Sequence, residues 1–391
     1  MCFIQISNIS CRQEFLDNAA TTPLDPEVFE AMLPFFKDHF GNPSSIHAHG
    51  RKVKSGLELA RKTVAGILNT SPGEIFFTSG GTEADNTAIS QSVESLGVQH
   101  AVTSRLEHHA VLHTLEYLQK LGKITLTYLE NDLQGNLDIE SLPDILKDKP
   151  KSLVSLMHGN NEIGNLLDIQ KVGEICRANQ AYFHSDTVQT MGHYAFDLQQ
   201  MPVDFIVGAA HKFHGPKGVG FLYINGHSKI QPMIHGGAQE RNMRGGTENI
   251  YGIIGLAKAL EIANKNLESH QIHIKYLKSR LKSQLQQKIE GISFNGNSAD
   301  LENSLYTVLN VSFPPHPDNE MLLFNLDIEG ISCSGGSACS SGTNLGSHVL
   351  NCLGIDSERA NVRFSFSKFT TEEEIDRTVF TLENLFAFDK V

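Results

Sequence analysis

Short apolar runs alternate with longer amphipathic stretches through the first two thirds of the chain. The runs "EIFFTS" (74–79), "ITLTYLE" (124–130), "SLVSLMH" (152–158), "AYFHSD" (181–186) and "DFIVGA" (204–209) have the length and density of apolar residues expected of buried strands. Between them, residues 51–68 place Val53, Leu57, Ala60, Val64 and Ile67 at helical spacing, which gives one apolar stripe. Asp25 followed by Pro26 predicts another helix, with the aspartate as N-cap and proline at the first helical position. Strands separated by helices predict an α/β fold with parallel strands and crossover helices.

From Tyr251 to about Ile289 a helical pattern runs without a proline. That is too long for a packed surface helix and predicts a connection into a second domain. The second domain closes with "NVRFSFSKFTTEEEID", a strand followed by a helix that Thr370 and Glu373 can open as a capping box. The chain shows no internal repeat and no low-complexity tract.

Composition narrows the class. The chain has 391 residues, 40% of them apolar and 19% charged, which is the composition of a soluble globular protein. A net charge of −12 opposes a broad nucleic-acid or anionic-membrane surface and leaves small molecules or proteins as partners. No run approaches the ~20 apolar residues that span a bilayer. The opening "MCFIQISNISCRQEF" lacks a basic n-region, so neither a signal peptide nor a lipoprotein anchor is expected, and the cytoplasm is the expected location. The six cysteines, Cys2, Cys11, Cys176, Cys333, Cys339 and Cys352, form neither a disulfide framework nor a CxxC zinc pattern.

In open α/β sheets ligands bind beyond the carboxyl ends of the strands, so polar residues that follow strands carry the most weight. "TSGGTEADN" places Gly80, Gly81 and Thr82 at a strand-to-helix junction suited to a phosphate. "EHHAVLHT" gives His108, "HGNNEIG" gives Asn161, and "HSDTVQ" gives Asp186 and Gln189. Each taken alone reads equally well as a helix cap. "GAAHKFHGPKGVG" sets Lys212 between His211 and His214; a zinc pair on one helical face is opposed by Gly215 and Pro216, which would end such a helix at once. Together the clusters fit pyridoxal 5′-phosphate, which needs a phosphate cradle, a lysine for a Schiff base, a carboxylate on the pyridinium nitrogen and an aromatic ring on its face.

In order along the chain, "FLDNAATTPLDPEV", "GNPSSIHAHGR", "FTSGGTEADN", "EHHAVL", "HGNNEIG", "HSDTVQ", "AHKFHGPKGVGFLY", "MRGGTEN", "SGGSACSSG" and "RFSFSKFTTEEEID" resemble the successive signatures of the cysteine desulfurases. The resemblance covers residues 15–376. It implies a pyridoxal-phosphate enzyme of class V with the aspartate-aminotransferase-like fold type I. Its large domain, with a mainly parallel seven-stranded sheet, is expected over residues 15–266. A smaller α+β domain is expected over 267–391 together with 1–14. The implied reaction converts L-cysteine to L-alanine and passes sulfur to an iron–sulfur scaffold or another acceptor protein. A selenocysteine lyase, another class V enzyme or a non-catalytic homologue are the alternatives.

By the same resemblance Lys212 would form the Schiff base and His211 would be its phosphate-side neighbour. His108 would stack on the ring as acid and base, Asp186 would hold the ring nitrogen, and Gln189 would bond the ring oxygen. Gly81 and Thr82 would take the phosphate, and Thr247 would reach the phosphate of a partner subunit, which implies a homodimer. Arg363 would pair with the substrate carboxylate, with Asn161 as helper. Cys339, in the serine- and glycine-rich run "SCSGGSACSSGTNLGS", would be the nucleophile that carries the persulfide. Cys333 is expected at the end of the strand that precedes this run. Two departures stand out: Ala209 where the family has a serine, and Gly335 where serine is more usual.

Overall fold

The computed structural model describes residues 13–335, 347–356 and 358–387. The chain begins with β1 (Glu14–Phe15) and then builds β2 (Ile75–Thr78), β3 (His100–Ser104), β4 (Thr125–Leu129), β5 (Ser152–Ser155), β6 (Tyr182–Asp186), β7 (Phe205–Ala209) and β8 (Gly220–Ile224). β2 to β8 form one seven-stranded sheet in the order β2-β8-β7-β6-β5-β3-β4. Only β8 runs against its neighbours, pairing antiparallel with both β2 and β7. The five strands read from the apolar runs are all present. β3 ("HAVTS") and β8 ("GFLYI") were not among those runs, although both are wholly buried. β3 is half polar, and β8 opens on a glycine that lets the chain pass close to Gly80, where a Cβ would lie 2.8 Å from its carbonyl carbon.

A smaller antiparallel sheet contains β9 (Ser293–Phe294), β10 (Val308–Ser312) and, after β11 (Ile331–Ser332), β12 (Asn361–Ser365), in the order β12-β10-β9. β1 pairs in parallel with β11. The apolar side chains gather in separate clusters: Val53, Leu57, Phe183, Phe221 and Leu256 belong to one, Leu281, Leu309, Phe313 and Phe364 to another.

The helix Pro26–Lys37 starts as expected, with Asp25 accepting from the Glu27 amide at 2.7 Å. The helix Ala48–Ile67 buries Val53, Leu57, Ala60 and Val64 and packs on the helix Ile250–Lys265. The long proline-free stretch is not one helix. It breaks into Ile250–Lys265 and Leu267–Lys288 at Asn266, whose backbone leaves the helical region (φ −109°, ψ 17°) and whose side-chain amide donates back to the Ile262 carbonyl at 2.9 Å. The closing helix, Glu372–Ala387, is boxed one residue later than the sequence suggests. The Thr371 amide donates to Glu374 Oε2 at 2.7 Å and the Glu374 amide to Thr371 Oγ1 at 3.3 Å. Thr370 is taken by the preceding turn, where its hydroxyl accepts from the Ser367 amide at 3.0 Å.

Candidate active site

Beyond the carboxyl ends of β5, β6 and β7 lies a cavity of about 250 Å³. Its wall includes Lys212, which leaves β7 through a single tight turn, Ala210–Lys212. The turn is closed by the Gly215 amide donating to the Ala210 carbonyl at 2.8 Å; a Cβ on Gly215 would sit 2.7 Å from that of Ala210. The Lys212 Nζ donates to the carbonyls of Ala19 and Ala20, at 2.5 and 2.9 Å. Its own carbonyl lies 3.2 Å from Nε2 of His193, whose Nδ1 is 3.0 Å from the Tyr306 hydroxyl. Burial pushes His193 down to about 4, so the ring is neutral and its Nε2–H is available to that carbonyl.

The two histidines beside the lysine face different segments. His211 lines the cavity and places Nδ1 3.2 Å from the Thr21 hydroxyl. His214, in the left-handed region at φ 67°, donates from Nδ1 to the Pro23 carbonyl at 2.9 Å. Burial lowers both rings, to about 4 and about 3.

Asp186 ends β6 inside the same cavity. One carboxylate oxygen accepts from the Val188 amide at 2.9 Å, which leaves the other for the cavity. Burial raises its pKa, opposed by the charges of His108 and Lys212. His108 is the N-cap of the helix His109–Lys120: its Nδ1 accepts from the Ala110 amide at 3.1 Å, so the proton of the neutral ring sits on Nε2. Burial keeps that ring below its ordinary pKa. Gln189 donates to the Ala19 carbonyl at 3.0 Å.

Two acids support this floor. Asp85 lines the cavity and places Oδ1 3.3 Å from Nε2 of His184, while Glu107 accepts from the Met157 amide at 2.8 Å. Burial, reinforced by the Asp186 charge, raises both well above the carboxylate range. Both residues lie inside quoted motifs, "TEADN" and "EHHAVL", but nothing in their local spacing marks them as buried. His193 had no signal in the sequence at all.

At the cavity's other side the helix Gly81–Leu96 points its N-terminus inward, with no side-chain cap on its first amides. Gly81 is needed for the close approach, since a Cβ there would lie 2.8 Å from Val188. Gly81, Thr82, Ala209 and His211 line this end. Such a helix start is an anion site.

Arg363, on β12, closes the cavity from the smaller sheet and is 1% exposed. Its Nη1 donates to the Asn161 carbonyl at 3.0 Å and its Nη2 to Asp17 at 2.8 Å, a residue that sequence reading had not singled out. Asn161 also lines the cavity. Thr247 is not brought into it: with Ser79, Arg244 and Glu248 it lines a separate cavity of about 170 Å³. Cys339 lies outside the described residues. Cys333 directly follows β11, and burial pushes its thiol up to about 12.

A lysine after a strand end, a buried carboxylate opposite it and an uncapped helix N-terminus define a class, the lysine-anchored pyridoxal-phosphate proteins of fold type I. The chain belongs to the class-V aminotransferase family, whose model matches residues 14–378. It is 43% identical over 378 residues to the cysteine desulfurase IscS of Dictyoglomus turgidum, covering 96% of this chain and 94% of the relative. Among solved structures it is similar to a NifS-like protein with a TM-score of 0.88 and 37% identity, covering 96% of this chain and 100% of that one. It is also similar to SspA in complex with cysteine, with a TM-score of 0.79 and 29% identity, over 92% of this chain and 100% of that one.

The residues present fit pyridoxal phosphate. A buried carboxylate destabilised by its burial calls for a cationic N–H donor, which a protonated ring nitrogen is. The open helix N-terminus calls for an anion, which the phosphate is.

Proposed function

We propose that this protein is a pyridoxal-phosphate-dependent cysteine desulfurase that converts L-cysteine to L-alanine and holds the sulfur as a persulfide on Cys339. The observation that carries the reading is one cavity shared by Lys212, Asp186, His108 and Arg363. The names of the relatives, and a cysteine complex among the similar structures, support the substrate.

Lys212 would hold the cofactor covalently, Asp186 its ring nitrogen, His108 its face and Gln189 its ring oxygen. Gly81, Thr82 and His211 would hold its phosphate. When bound, the cofactor supplies an electron sink next to the substrate Cα. Arg363, helped by Asn161, binds the substrate carboxylate through its planar fork. The Lys212 amine takes the Cα proton, and neutral His108 can donate or accept a proton through Nε2. The Cys339 thiolate attacks the substrate sulfur. A sulfur–sulfur bond forms, the Cβ–S bond breaks, and its electron pair stays on Cβ, which is protonated to the methyl group of alanine.

We further propose a homodimer in which Thr247 reaches the partner's phosphate site, a domain boundary at the Asn266 break, and a sulfur-acceptor protein as partner in the cytoplasm. No helix among the described residues is long and apolar enough to cross a membrane. The reading is tested by incubating the protein with L-cysteine and measuring alanine and protein-bound persulfide together. One equivalent of each in a single turnover is expected, and alanine without persulfide would refute it.

A further inference from the structure

We infer that Asp17 is a positioning residue that sets how tightly Arg363 holds a ligand carboxylate, loosening the grip on substrate and product alike. This inference rests on reading Arg363 as the carboxylate anchor.

The pair is built rather than accidental. Asp17 and Arg363 lie 346 residues apart, and Asp17 Oδ1 meets Nη2 at 2.8 Å. The backbone around the aspartate is pinned to the strand that carries the arginine. Asp17 bridges Ser365, the Ser365 amide donates to the Leu16 carbonyl at 2.7 Å, and the Asn18 amide group donates to the Ser365 carbonyl at 2.8 Å. The backbone of Asp17 is therefore fixed beside the strand that carries Arg363, within reach of the guanidinium.

Asp17 takes a single donor of the guanidinium. Nη1 is shared with the Asn161 carbonyl, and Nε is buried with no hydrogen-bond partner. A guanidinium has five N–H donors, so enough of the fork remains for an incoming carboxylate. What Asp17 changes is the charge. With a fixed carboxylate already beside it, the arginine meets a second one as a neutral pair and not as a bare cation. L-cysteine and L-alanine carry the same α-carboxylate. A strong grip on it would stabilise substrate and product equally, which does nothing for the chemical step and retards release of product. Asp17 supplies orientation through its hydrogen bond while its charge weakens the grip.

Charge and orientation separate in two substitutions. Asp17→Asn keeps an oxygen acceptor for Nη2 and removes the charge; Asp17→Ala removes both. Binding of L-alanine to the holoenzyme is measured by calorimetry, with kcat and KM for L-cysteine alongside and thermal melting as a check on folding. Asp17→Asn is expected to bind L-alanine about three- to tenfold more tightly than the parent and to lower KM by a similar factor. Asp17→Ala is expected to bind about fivefold more weakly than Asp17→Asn, because the guanidinium loses its anchor. Arg363→Gln is the control. If it abolishes L-alanine binding while Asp17→Asn binds like the parent or more weakly, the role of Asp17 is overturned and Arg363 stands. If Arg363→Gln binds L-alanine normally, the carboxylate is held elsewhere and both fall. A purely structural Asp17 would lower the melting temperature of both variants and leave KM unchanged, which also overturns the inference.

Discussion

The Nζ of Lys212 lies 2.5 Å from the carbonyl oxygen of Ala19, a residue 193 positions earlier in the chain. That carbonyl also receives the Gln189 side chain, and the Ala19 amide donates to the Ser365 hydroxyl at 2.8 Å. The N-terminal segment is therefore a wall of the site, and it holds the lysine by backbone groups that no substitution at Ala19 would remove.

Lys212→Ala is expected to abolish covalent retention of the cofactor and to lower activity at least about 10³-fold, since both attachment and proton transfer depend on the amine. The chain should stay folded, because the carbonyls it leaves face a cavity that water can enter. Borohydride treatment followed by mass spectrometry checks this. Cofactor still fixed to the variant chain would show that another lysine carries it.

Ala209 is 1% exposed and stands at the cavity end formed by Gly81 and Thr82. Ala209→Ser would add one hydroxyl donor there. Cofactor affinity is expected to rise by about 0.5–1.5 kcal/mol, the net worth of a hydrogen bond. Titration of the apoprotein measures it, and an unchanged or weaker affinity would mean that the hydroxyl points elsewhere.

Cys333, directly after β11, and Cys339, six residues further along the sequence, should behave differently. Because burial pushes the Cys333 thiol up to about 12, it is a protonated thiol at neutral pH, and Cys333→Ser is expected to keep activity within about twofold. Cys339→Ser should bind L-cysteine yet form no persulfide and release no alanine. Mass spectrometry after one turnover locates the sulfur, and its appearance on Cys333 would reassign the nucleophile.

Lys278 is wholly buried, its Nζ bonded to the Ser304 hydroxyl and the Leu305 carbonyl, both at 2.8 Å. Burial pushes it down to about 7, whereas an unfolded lysine titrates near 10.4. Between these values the unfolded chain binds a proton that the folded chain has released, so stability should rise with pH across that window. The slope contributed by this group should approach about 1.4 kcal/mol per pH unit. Urea unfolding of the parent and of Lys278→Met at pH 7, 8 and 9 tests the sign. Identical slopes in the two proteins would rule it out.

Glu240, Arg241 and Asn242 all have positive φ, at 44°, 56° and 67°. This costly turn is held by a buried pair in which Arg61 Nη1 and Nη2 meet the two Glu240 oxygens at 2.7 and 2.8 Å, and it leads into the segment carrying Thr247. Glu240→Ala is expected to cost about 3–5 kcal/mol, because it removes the bidentate carboxylate of the buried Arg61 and leaves it the Ile75 carbonyl and the half-exposed Glu58, 3.5 Å from Nε. A loss below about 1 kcal/mol in denaturant unfolding would show that the Ile75 carbonyl and Glu58 suffice to hold Arg61.

Apolar spacing in the sequence by itself determined the α/β pattern, five of the seven strands of the large sheet and the helix near Arg51, and the Asp25–Pro26 cap determined the helix start at Asp25. It also set Lys212, Asp186 and His108 at the ends of strands or starts of helices, because backbone periodicity and capping are local and register in neighbouring residues. β8 was harder to read because its buried run opens on glycine, and the helix break at Asn266 because it is a departure of one residue's backbone from helical angles inside a continuous helical pattern. Only the tertiary structure decided which distant groups meet: Asp17 with Arg363, His193 with the Lys212 carbonyl, Asp85 with His184. The first pairing depends on how β1 docks on β11 and the smaller sheet meets the larger one, the other two on how the helix Gly81–Leu96 and the turn after β7 pack against the large sheet, and sequence spacing carries no measure of such distances. The same packing raises the pKa of Asp85 and Glu107, since burial is a property of the surrounding fold and not of the residue.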